Sequence, residues 1–234
     1  MNQEQITELL YQALETEMGG VLVYETAIEC AVNEELKNEW EEYLEQTKEH
    51  VEKMREVLES VGLDPKTETP GRKVVRHIGE SLVKAMQMAN KEGEPGAAEL
   101  VAAECIVHAE TKDHMNWELI GEIVKKNGRA GMEVMRQAHE DVEDEEDEHL
   151  YHTMGWSREL WMKSLGLPAV IPPPEEKQDV KTMIEAARAK ESRSRKSGRG
   201  RSAQNRAAQS QKRRGSSPSS KKSSSRKASS KKRV

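Results

Sequence analysis

Apolar residues recur along this chain at alternating spacings of three and four, the period of a helix with one buried face. The first stripe runs Ile6, Leu10, Ala13, Glu17, Gly20, Tyr24, Ala27, Ala31, and the second Leu36, Trp40, Tyr43, Thr47, His50, Met54, Val57, Val61. A third reads Leu100, Ala103, Val107, Glu110, His114, Trp117, Gly121, Val124. The last reads Met135, Ala138 or His139, Val142, Glu145 or Glu146, His149, His152 or Thr153, and Trp156. No convincing strand and no short repeat interrupts the pattern. Prolines punctuate it: none before Pro65, then Pro70 and Pro95, none again until Pro168, and Pro172-Pro173-Pro174 at the end of the compact part. The spacing predicts helices over 3–32, 34–61, 73–91, 96–126 and 131–163, with Gly62 and Asn127-Gly128 as stops. Four long helices and a shorter one, closely joined, predict an all-α antiparallel bundle.

Composition agrees with helices rather than a sandwich or barrel. Of 234 residues 35% are hydrophobic, only 3% are aromatic, and there is no Phe, so the core must come from aliphatic side chains, Met and Ala. Two cysteines, Cys30 and Cys105, are too few for a disulfide framework or paired Cys-x-x-Cys sites. No apolar run approaches the roughly 18 residues of a membrane span. The start, Met1-Asn2-Gln3-Glu4, lacks the pattern of a secretory signal, so a soluble cytoplasmic protein with no membrane partner is expected.

The net charge of −5 hides a division. Residues 186–234 hold 18 Lys and Arg against one acidic residue, Glu191, whereas residues 1–185 hold 41 acidic against 19 basic residues. The expected organisation is a helical bundle over 1–167, a Pro-rich linker with a short amphipathic segment over 168–191, and a tail over 192–234. That tail, of Ser, Lys, Arg, Gly and Gln, has too little apolar surface to offset its ordering entropy and is expected to be disordered. Its charge suits phosphates, so nucleic acid is the expected partner, bound without sequence preference and with steep salt dependence. Docking on the chain's own acidic body is the competing reading.

Each long stripe carries ionisable groups near its middle. A carboxylate is almost never fully buried unless it is neutralised, and burying one costs several kcal/mol. Carboxylates and imidazoles converging from four helices therefore point to a divalent cation, and mixed ligation of this kind suits Fe or Mn, with Zn also open. The candidate ligands are Glu17, His50, Glu110, His114, Glu146 and His149. His77, His108 and His139 lack such company and are read as surface or edge residues.

The constellation resembles the ferritin-like superfamily, whose four-helix bundles take one Glu from each of two helices and Glu-x-x-His from each of the others. Glu17 with Tyr24 resembles the first-helix pair, EYLEQTKEHVEKM (42–54) the second-helix segment with His50, and Glu110 the third-helix Glu. EDEEDEHLYH (143–152) contains Glu146-x-x-His149, the last-helix motif. GAAELVAAECIVHAE (96–110), following the shorter helix, is most similar to rubrerythrin-like bacterial stress proteins. The resemblance covers about 3–163 and implies an iron or manganese site, one metal or two, with ferroxidase- or peroxidase-type chemistry and Tyr24 hydrogen-bonded to a ligand. It departs from the pattern at Thr47, where the second-helix motif has Glu; Glu49 or a register shift, or His114 one turn beyond Glu110, would have to compensate. Without paired Cys-x-x-Cys, electrons would come from an external donor. A homodimer or higher oligomer fits the same reading. The alternative is a non-catalytic helical module with a degenerate site, acting as a nucleic-acid-associated or scaffold protein.

Overall fold

The computed structural model describes residues 1–127 and 132–174. The tail at 192–234, most of the 168–191 segment and the expected stop at Gly128 lie outside the described residues. Five α-helices form: α1 (Gln3–Cys30), α2 (Glu34–Ser60), α3 (Pro70–Glu92), α4 (Pro95–Asn127) and α5 (Glu133–Ser164). Among the described residues there is no strand, and no helix is long and apolar enough to cross a membrane.

Local chemistry sets the boundaries. Asn2 and Asn33 accept hydrogen bonds from the first free backbone N–H groups of α1 and α2, and Thr69 does so for α3. Gly62 takes φ +78° after α2, the left-handed conformation that glycine adopts without a Cβ penalty. α3 is three residues longer at its start than the pattern predicted. Pro70 opens it, at a position where its missing N–H would be unbonded in any case.

α1, α2, α5 and α4 form a closed ring of neighbours, and α3 lies outside it against α1 and α4. The apolar interior falls into two clusters. One gathers Leu10 and Leu14, Met54 and Val57, Trp117 and Ile120, and Met135 and Val142. The other gathers Val23 and Tyr24, Leu36 and Trp40, Ala103 and Ile106, and Trp156 and Leu160. α1 and α5 enter the first cluster before the second, whereas α2 and α4 do the reverse. Every neighbouring pair in the ring is therefore antiparallel. Because α2 and α4 run the same way, the chain must return along the bundle between them. The 23 residues of α3 make that return, about 34 Å at the usual rise.

α3 is pinned by charge. Buried Arg72 donates to Glu15 Oε2 at 2.8 Å and to the carbonyls of Pro65 and Thr67, and Arg76 holds Glu15 Oε1 at 2.6 Å. Glu99 Oε1 accepts from the backbone N–H of Val32 and Asn33, tying the α1–α2 turn to the start of α4.

Candidate metal centre

Between the two apolar clusters lies a polar belt, one helical turn or two from each ring helix. α1 supplies Glu17, α2 Thr47 and His50, α4 Glu110 and Asp113, and α5 Glu146 and His149; all seven are buried. The stripe places them there: the same three-and-four spacing that buries Leu10 and Tyr24 carries Glu17 inward between them.

Two groups of ligand atoms lie close enough to share a cation each. Glu17, His50 and Glu146 form one; Glu110, Glu146 and His149 form the other, so Glu146 belongs to both. His50 Nδ1 is 2.9 Å from Glu146 Oε1 and 3.7 Å from Glu17 Oε2. His149 Nδ1 is 3.7 Å from Glu146 Oε1 and 3.8 Å from Glu110 Oε2.

The outer nitrogens fix which way each imidazole faces. His50 Nε2 lies 2.7 Å from Glu145 Oε2, and His149 Nε2 lies 2.8 Å from Gln46 Oε1. Both partners are acceptors, so each Nε2 carries the proton and donates it outward. Each ring then turns Nδ1 toward carboxylate oxygens. Such an arrangement is repulsive unless something positive lies between. No hydrogen bond reaches His50 Nδ1, His149 Nδ1, Glu17 Oε2, Glu110 Oε2 or Glu146 Oε2. Asp113 Oδ1 is likewise without a partner; buried polar atoms are rarely left so, and six such atoms of metal-ligand type in one layer fit a cation pair. On the remaining side Trp117 Nε1 donates to Glu17 Oε1 at 2.7 Å and orients that carboxylate.

Electrostatics point the same way. Burial pushes the carboxyls of Glu17 and Glu146 well above their ordinary range, with Asp113 the next contributor to each. Glu110 is raised by burial, then by Glu146 and Asp113. Asp113 is pushed up to about 6, chiefly by burial. His149 is held well below its usual value by burial and by His50, which keeps it neutral and able to coordinate. Burial, followed by Glu110, raises the Tyr24 phenol, which lies against that carboxylate. Four buried carboxylates whose charges repel one another are relieved by protons or by a pair of divalent cations, and the imidazole donors favour the cations.

Five of the six sequence-derived ligands meet in the belt. His114 does not: it is partly exposed, and its Nδ1 sits 3.4 Å from Asp147 Oδ1 on the α4–α5 flank. Ile106, Glu110, Asp113 and Trp117 form the inward face of α4, with spacings of four, three and four. The step from Glu110 is therefore three, and it brings in Asp113. Sequence reasoning also missed Gln46, Glu145 and the Trp117 N–H. Thr47 adds no carboxylate; its hydroxyl donates to the Tyr43 carbonyl at 2.8 Å, and Glu49 is exposed. His77 and His108 are exposed as expected, but His139 is buried at 7% exposure. Gly121 makes the room, since a Cβ there would fall 2.1 Å from His139 Nε2.

No family model, no curated protein and no solved structure matches the chain, so the reading of this centre stands on its own geometry.

Proposed function

We propose that the protein is a ferritin-like metalloprotein that holds a pair of Fe or Mn ions and uses them in oxidative-stress or iron-related redox chemistry. The observation that carries this reading is the pair of outward-donating imidazoles whose Nδ1 atoms face the shared Glu146. Glu17, His50, Asp113 and Glu146 would hold one ion, and Glu110, Glu146 and His149 the other. Bound there, Fe or Mn would supply electron exchange with peroxide or dioxygen, with replacement electrons from an external donor. The chain's own part is positional. Glu145 and Gln46 fix the imidazole tautomers, Trp117 orients Glu17, and the two apolar clusters close the layer to water on both sides. The basic segment over 192–234 would hold the bundle near nucleic acid through phosphate contacts.

Thr47 favours a second reading, a non-catalytic helical module with a degenerate site, because the second helix brings no carboxylate. Elemental analysis of protein expressed with Fe or Mn supplied separates the two. About two ions per chain, lost in Glu17→Ala and His149→Ala but kept in Glu59→Ala on the exposed face of α2, is the expected result. Metal content indistinguishable between Glu17→Ala and the natural protein would sink the assignment.

A further inference from the structure

Away from the belt, α1, α3 and α4 surround a partly enclosed cavity of about 150 Å³. Its walls are apolar, formed by Val23, Val75, Ile78, Leu82 and Ala109, and at its edge the backbones of α1 and α3 come into contact at Gly19 and Gly79. A cavity of this volume accommodates a benzene-sized group, about six carbons.

One end is polar. Lys112 lines the cavity and is half-buried. Its ammonium donates to Asn116 Oδ1, a neutral amide, and makes no ion pair with a carboxylate. Asn116 is itself occupied, donating to Thr16 Oγ1 at 3.0 Å. Glu15, the acidic residue of the wall, is turned to Arg72 and Arg76.

We propose that this cavity binds a medium-chain monocarboxylate, with a tail of about six carbons against the apolar walls and the carboxylate on the Lys112 ammonium. The ligand completes what the chain leaves open: apolar volume at one end and, at the other, an ammonium with no carboxylate at ion-pair distance. The assignment is independent of the metal reading, because none of the belt's ligand atoms lines the cavity.

Calorimetric titration of the full-length protein with hexanoate tests it, with hexylamine and acetate as companions. Saturable binding of one hexanoate per chain is expected, with no binding of hexylamine, which places an ammonium against Lys112. Acetate at the same concentration should give no saturable signal, which separates the cavity from diffuse attraction to the basic tail. Lys112→Gln should weaken hexanoate binding at least about tenfold, and Lys112→Arg should retain most of it. Ala109→Leu and Val75→Phe, which fill the cavity from opposite walls, should abolish binding while circular dichroism shows the helices intact. The proposal is overturned if hexanoate gives no saturable binding to the natural protein, if hexylamine binds as well as hexanoate, or if Lys112→Gln leaves hexanoate affinity unchanged.

Discussion

The imidazoles of His50 and His149 lie nearly parallel, with centroids 5.7 Å apart and planes inclined by 25°. Their Nδ1 atoms approach the same oxygen, Glu146 Oε1, at 2.9 and 3.7 Å. One carboxylate thus stands between two imidazole donors on different helices. Glu146→Ala is accordingly expected to reduce metal content at both positions together, whereas His114→Ala leaves it unchanged. Elemental analysis with a competitive chelator reads the difference; a Glu146→Ala protein that keeps its full metal complement would refute the shared role.

Metal-induced stabilisation should grow with pH. Asp113 is raised to about 6 from 3.8, so between those values the folded state keeps a proton that the unfolded chain has released. The stability from that proton is complete below the unfolded pKa and is lost as pH rises through about 6. Glu17, Glu110 and Glu146 are shifted in the same direction. His149, lowered from 6.5, acts oppositely, losing its contribution as pH falls through its unfolded value. With four carboxylates against one imidazole, the melting temperature of metal-free protein should fall between about pH 5 and pH 7. The increment on adding Mn(II) should widen over the same range, because the ion competes with protons for the same oxygens. An increment independent of pH would count against carboxylate ligation.

Thr47→Glu restores a carboxylate to the second helix. Thr47 is 2% exposed, so the metal-free variant should be several kcal/mol less stable in urea titration. Its metal affinity should rise, because the new charge lies in the layer that the ion neutralises. A variant that is destabilised and also binds metal more weakly would show that position 47 does not face the ion.

Arg72→Ala should cost about 3 kcal/mol by urea denaturation, since it leaves buried Glu15 with Arg76 as its remaining guanidinium partner. Metal content should be preserved, because this pair secures α3, which stands outside the ring of four.

Removing 192–234 should abolish nucleic-acid binding by the full-length protein. Before removal, affinity should fall steeply and linearly with salt on logarithmic axes. Equal affinity with and without the segment would transfer the binding to the body.

The helices and most of the belt were readable in the sequence because helical periodicity fixes which residues share a face. Glu17, His50, Glu110, Glu146 and His149 each sit in a stripe that is mainly apolar toward either end. On α4 the sequence reading took the step of four from Glu110 to His114, whereas the structure takes the step of three to Asp113. The rotation of α4 decides it, and that rotation follows from how Ile106 and Trp117 pack between neighbouring helices. Gln46 and Glu145 were invisible for a related reason: each acts on an imidazole about a hundred residues away in the chain, and no local pattern encodes that meeting. His139 was misread because its burial depends on the absent side chain of Gly121 across the α4–α5 contact.

The polar belt is expected to reverse the usual ranking of rigidity along a helix. Helices ordinarily open from their ends, and their midpoints exchange amide hydrogens most slowly. Here each ring helix has an apolar anchor toward either end and its repulsive charges between them. Without a cation, amides near Glu17, His50, Asp113 and Glu146 become the early-exchanging ones, and the bundle loosens at its waist. With the cation bound, the same residues become its clasp, so occupancy of the centre is legible in backbone protection far from either terminus.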